Sequence, residues 1–197
     1  MMEEKGLHPA FLHNWYLFRK KVFKLAGAAF HVYDENGNLL FYSKQKAFKL
    51  REDFRVYSDE SQRHELLIIK TPQILDIGAV YYVQDAVTGE SVGALKRRGL
   101  KSFIKDEWTF LSPTGQQTGK LSETSLAGAL LSRFINLVPQ NYFLTSSEGA
   151  GVAEIKQHFN PFVLKYTMTI METAPPIDRR LLVASGILLC GIEGRQR

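Results

Sequence analysis

Three groups of basic side chains are the part of this sequence best suited to binding chemistry. Arg19, Lys20, Lys21 and Lys24 form the first. Lys44, Lys46, Lys49 and Arg51 form the second, and Lys96, Arg97, Arg98 and Lys101 the third. The first two are interleaved with Phe18, Phe23 and Phe48. A Lys or Arg held near an anionic bilayer contributes about 1 kcal/mol to binding. Alternate residues of a strand share a face, so Arg19 and Lys21 are expected to present charge to one side, with Lys24 as a further candidate. The plainer alternative is a solvated wall whose lysines discourage edge pairing.

Other chemistries find less support. The histidines (His8, His13, His31, His64 and His158) have no metal-ligand spacing such as His-x₃-His. His31, beside Phe30, reads as a wall residue of a strand. Asp34 and Asp85 precede turns, where Asp side chains bond the local backbone. Asp106 and Glu107 are adjacent, and neighbours on a strand face opposite sides, so they do not form an acid–base pair. No Gly-x-Ser-x-Gly elbow and no phosphate-binding Gly-x-x-x-x-Gly-Lys-Ser/Thr loop occurs. The expectation is therefore a protein that is not an enzyme, with no cofactor and no metal.

The 197 residues carry a net charge of +5 and have a pI near 9.3. Mild basicity favours anionic partners and does not choose among them. Basic residues spread over both halves, without a recognition motif, make nucleic acid a weak candidate. The lone Cys190 excludes an internal disulfide framework. The start, Met1-Met2-Glu3-Glu4-Lys5, lacks the apolar core of a secretory signal. A cytoplasmic location follows as an expectation, peripheral to a membrane if lipid is bound.

These residues must be positioned by strands. An aromatic-led apolar run, a Gly-bearing turn and a second alternating run recur four times: over Phe30–Phe41, Tyr81–Leu95, Trp108–Leu121 and Tyr142–Ile155. Each reads as a β-hairpin, and Asn36-Gly37 is the strongest turn signal among them. Leu17–Leu25, Asp53–Tyr57, Glu65–Lys70 and Phe162–Met171 also have strand composition. One amphipathic helix is expected over Ser125–Phe134.

Leu181–Ile192 is twelve residues long and uncharged. A helix from Asp178 to Glu193, capped by Asp178, would be apolar all round and must be surrounded. Spanning a bilayer takes about 20 apolar residues, so burial in protein is the expectation. About twelve antiparallel strands and one apolar helix have an economical arrangement. The sheet closes into a barrel, which removes its edges, and the helix fills a bore too wide for side chains alone. A sandwich with a helix on one face also satisfies the pattern.

Three features together resemble the tubby C-terminal-like superfamily, in its phospholipid-scramblase and LURP-one-related branch. They are Asp34-Glu35-Asn36-Gly37-Asn38, then Tyr82-Val83-Gln84-Asp85 through Gly93-Ala94-Leu95-Lys96-Arg97-Arg98, and the ending from Asp178-Arg179-Arg180-Leu181 to Ile192. The likeness runs from about Trp15 onward. It implies a mainly β fold, a twelve-stranded closed antiparallel barrel around a central C-terminal helix. Residues 15–197 would then be one domain, and 1–14 a poorly ordered extension.

Tubby domains bind phosphoinositides through basic surface residues, so the resemblance implies a module binding anionic phospholipid through the three basic groups. A protein-interaction scaffold and a scramblase-like lipid mover remain as alternatives. The chain departs from scramblases in lacking a proline-rich arm and a cysteine cluster. Met168–Pro176 holds one carboxylate, whereas a calcium site takes six to eight oxygens. Neither the ligand nor the oligomeric state follows from the sequence.

Overall fold

The structure is a computed structural model. It describes residues 6–23, 27–45, 53–72, 78–97, 107–124, 139–158, 160, 163–172 and 175–192. The strands are β1 (Trp15–Phe23), β2 (Gly27–Tyr33), β3 (Leu39–Gln45), β4 (Asp53–Tyr57), β5 (Glu65–Lys70) and β6 (Val80–Asp85). They continue with β7 (Ser91–Arg97), β8 (Glu107–Leu111), β9 (Gln117–Glu123), β10 (Asn141–Ser146), β11 (Gly151–His158) and β12 (Leu164–Ile170). One helix follows, α1 (Arg179–Ile192).

Each strand pairs antiparallel with its neighbours in sequence, and β12 pairs with β1, so the twelve strands close into a barrel. The expected arrangement is the observed one, and the sandwich is excluded. Burial alternates along the strands: β4 and β8 place every second residue inside. Phe18, Phe30, Phe41, Phe54, Trp108 and Phe110 point inward. The four expected hairpins form, joined by a fifth, β4–β5. Each of the five has a register shift beside its turn. Bulges of this kind increase local twist, which suits closure. Gly37 at φ +83° takes the left-handed turn conformation expected of Asn36-Gly37.

All fourteen residues of α1 are buried. The helix fills the bore, as its composition requires. Asp178 caps it: its Oδ1 accepts from Arg180 N at 2.8 Å, and its carbonyl accepts from Leu181 N and Leu182 N. At the far end Lys20 Nζ donates to Gly191 O at 3.3 Å. A cation is thereby placed at the negative end of the helix dipole. Small residues set the fit, since a Cβ on Gly186 would overlap the Phe18 ring.

The N-terminal expectation needs correcting. Residues 6–14 are not a loose extension. Pro9–Leu12 form a 3-10 helix that buries Ala10 and Phe11. Phe11 packs against Phe41 with ring centroids 4.8 Å apart. The helix expected over 125–134 lies outside the described residues.

The two barrel ends differ. The five tight hairpins and the N-terminus of α1 share one end. The other ends of these strands share the opposite end with the C-terminus of α1, where Lys20 meets Gly191.

Candidate functional site

The basic residues divide according to strand alternation and barrel position. Arg19, Lys21 and Lys44 face outward on β1 and β3, while Lys20 and Arg97 face inward, each 4% exposed. Lys20 lies over the Phe30 ring at 5.6 Å, and Arg97 over Trp108 at 5.8 Å. These two are held in the barrel's interior and not on its outer wall. Lys96 is exposed, but β7 stands six strands from β1 in either direction. It therefore lies on the opposite wall, beside the Lys120–Glu107 ion pair. Lys24, Lys46, Lys49, Arg51, Arg98 and Lys101 lie outside the described residues.

Closure of the barrel assembles a different set. Lys165 on β12 sits directly across from Arg19, and His158 on β11 directly across from Lys165. The same row continues from Arg19 to His31, Tyr42 and Tyr57. Directly opposed residues have Cβ atoms about 4.5–5.5 Å apart. The cationic part of this row contains no carboxylate. Lys21 and Lys44 extend it one step toward the helix C-terminal end, as both are opposed to Ala29. Arg55, opposed to Lys44, is neutralised by Asp53 at 2.8 Å and Glu65 at 3.0 Å. Lys156 is paired with Glu154 at 3.0 Å. Among the described residues the uncompensated positive wall is thus Arg19, Lys21, Lys44 and Lys165.

An aromatic cluster borders this wall. The His31 ring stacks on Tyr33 with centroids 6.1 Å apart and 10° between planes. Tyr42 meets His31 edge-on at 5.2 Å. Glu60, from the loop between β4 and β5, reaches over to His31, with Oε1 2.6 Å from Nε2. Burial, and after it the Glu60 charge, raise the Tyr42 phenol above its ordinary range. His31 is the wall residue expected, but its Glu60 partner could not be read from spacing. Lys165 and His158 were also missed. The only available signal was that closure must bring the last strand beside the first.

A second feature is a cleft of ≈ 420 Å³ at the hairpin end, lined by Asp85, Glu90, Thr118, Asp178, Arg180 and Leu181 among others. Its guanidinium is held by three carboxylates. Arg180 Nη1 donates to Asp85 Oδ2 and Glu90 Oε2, both at 2.9 Å, and Nη2 donates to Asp178 Oδ2 at 2.7 Å. Burial works against the Arg180 charge, yet the carboxylates outweigh it and raise its pKa. The Asp85 carboxylate also accepts from Val87 N and Thr88 N, the turn duty expected of it. Three carboxylates around one guanidinium leave no net positive charge for an incoming anion, so the cleft is a structural clamp. Among the described residues no three His, Cys, Asp or Glu side chains converge to hold a metal ion.

The LURP-one-related family model matches residues 16–190, nearly the whole barrel and its helix. The chain belongs to the LURP-one-related family. A crystal structure of an Arabidopsis thaliana protein is similar to this LURP-one-related chain, with a TM-score of 0.53 and 15% identity. The match covers 97% of this chain and 98% of that one. At that identity the likeness concerns the fold alone. Among curated proteins none matches the sequence. LURP-one-related membership accounts for the barrel and the buried helix and leaves the role of the cationic wall to be argued from its own geometry.

Proposed function

We propose that this LURP-one-related chain is a non-enzymatic module that binds anionic phospholipid at the cytosolic surface of a membrane. The observation that carries the proposal is the cross-strand opposition of Arg19 and Lys165, flanked by Lys21 and Lys44, with no neutralising carboxylate among the described residues. Like charges placed directly opposite are destabilising. An acidic surface offsets that cost. Four such cations contribute about 4 kcal/mol at an anionic surface, or roughly a thousandfold in partition. The resemblance to tubby domains, which use basic surface residues, points the same way.

A scramblase-like role gains nothing from this geometry. It would require an inserted segment, whereas every residue of α1 is buried in the barrel. Among the described residues no helix is long and apolar enough to cross a membrane. A protein-scaffold role has no specific observation in its favour.

Sedimentation with vesicles of acidic and of neutral lipid tests the proposal. Binding should be confined to acidic vesicles and should weaken as salt rises, because exposed charges are screened beyond about 10 Å at 0.1 M salt. Equal binding to both vesicle types would overturn it.

A further inference from the structure

We propose that Arg19, Lys165 and His31 form a site for a phosphate monoester, and that Glu60 is a tethered carboxylate competing for it. The proposal rests on the cationic wall just described, but it names a ligand chemistry and an internal regulator that general attraction to acidic lipid does not need.

Two buried nitrogen atoms carry the inference. Arg19 Nε is buried and has no hydrogen-bond partner. His31 is 96% buried, and its Nδ1 likewise lacks a partner. A buried polar group left unmade costs about 1–3 kcal/mol, and a charged one more. These residues stand directly opposite each other on the barrel wall. Lys165 faces Arg19 from the other side. Arg19, Lys165 and the His31 Nε2 that meets Glu60 belong to one stretch of wall whose cationic part holds no carboxylate of its own, which points to an acceptor arriving from outside.

Glu60 indicates what kind of acceptor fits. Its carboxylate oxygen lies 2.6 Å from His31 Nε2, although its side chain is 65% exposed. The loop that carries it is shaped locally. Asp59 Oδ1 accepts from Ser61 N at 2.7 Å, and Gln62 adopts φ 58°. An anionic oxygen is thus presented to the imidazole from a loop outside the strand row. The Glu60 carboxylate brings one negative charge to the imidazole. A phosphate monoester brings about −1.5 to −2 charge and three terminal oxygens, which matches three nitrogen-bearing side chains. A phosphodiester has two terminal oxygens and one charge. Charge-assisted bonds of this kind are roughly twice as strong as neutral ones, so the monoester is the better competitor against Glu60. Tyr33 and Tyr42 wall the imidazole on its aromatic side and hold its orientation.

The monoester could be a lipid headgroup or a soluble ligand, and two arms separate these. In the first, inorganic phosphate is titrated into the full chain by calorimetry. In the second, neutral vesicles carrying phosphatidic acid are compared with vesicles carrying phosphatidylserine at matched surface potential. Phosphate should bind saturably, and phosphatidic acid should outperform phosphatidylserine. Arg19→Gln should weaken phosphate by about tenfold or more, and Glu60→Gln should tighten it about threefold to tenfold. The gain in Glu60→Gln cannot arise from misfolding. Phosphate binding without vesicle binding would support the site with a soluble ligand while overturning the lipid reading. Equal binding to the two acidic lipids, with no phosphate affinity and no response to Glu60→Gln, would overturn the site and leave the lipid reading standing. Absence of all binding would overturn both.

Discussion

Arg180 Nη1 donates to Asp85 Oδ2 at 2.9 Å across 95 residues of sequence. The bond ties the first turn of the central helix to the β6–β7 hairpin. Both side chains are nearly buried, and Asp178 completes the clamp from the helix cap. Removing one partner of a buried ion pair costs about 3–5 kcal/mol, because the other charge stays behind. Arg180→Ala should therefore destabilise the barrel by about 3 kcal/mol in urea unfolding. Glu90→Gln should cost under about 1 kcal/mol, since its side chain is 58% exposed.

The same clamp sets an acid dependence. Burial alone would raise the Asp85 carboxyl, but Thr88 N–H, Arg180 and Val87 N–H outweigh it and hold the pKa below the ordinary value. A depressed carboxylate contributes stability that is present above its unfolded value, about 3.9. That stability is lost as pH falls through the folded value. Thermal melts from pH 6 down to pH 3 should show the wild type losing more stability than Asp85→Asn, although Asp85→Asn is the less stable at pH 6.

Gly186 marks the tightest meeting of helix and wall. A Cβ there overlaps the Phe18 ring, which is itself fully buried. Overpacking of this kind costs about 1–3 kcal/mol. The helix-propensity gain of Gly→Ala, about 1 kcal/mol, offsets only part of it. Gly186→Ala should lower the melting temperature. In a double-mutant cycle Phe18→Leu should relieve the cost, giving a coupling between the two sites.

Truncation before Asp178 removes the core of the bore. Shortening a single buried Leu to Ala costs about 2–5 kcal/mol, and α1 buries Leu181, Leu182, Leu188 and Leu189 together with Ile187 and Ile192. For six such side chains the sum is about 12–30 kcal/mol, as large as or larger than the roughly 5–15 kcal/mol typical of a whole domain. The truncated chain should show no cooperative melt by circular dichroism. A monomeric, cooperatively melting product would contradict the buried-helix account.

Much of the fold was legible because local chemistry and global closure agree. Asn36-Gly37 demanded a tight turn, alternation marked the strands, and a helix without a polar face had to be enclosed. The cationic wall was less legible, for specific reasons. Arg19, Lys20 and Lys21 read as one cluster, yet alternation sends Lys20 to the helix C-terminus. Lys96 resembles Lys21 in composition, but counting strands around the closed barrel puts it on the far side. Lys165 meets Arg19 only through the β1–β12 register, which no local spacing encodes. Arg179 and Arg180 directly precede the apolar run, and nothing in their spacing names their partners. They are buried, with Arg179 donating to His13 O and Asn14 Oδ1, and Arg180 to its carboxylates.

The most direct test of the cationic wall is vesicle co-sedimentation of charge-reversed chains at fixed acidic-lipid content. Arg19→Glu/Lys165→Glu changes the wall by four charges, and Lys96→Glu is its control on the opposite side. The account predicts at least about a thirtyfold loss of binding for the double variant, with Lys96→Glu close to wild type. Equal behaviour of the double variant and Lys96→Glu, or wild-type binding that ignores lipid charge, would contradict it.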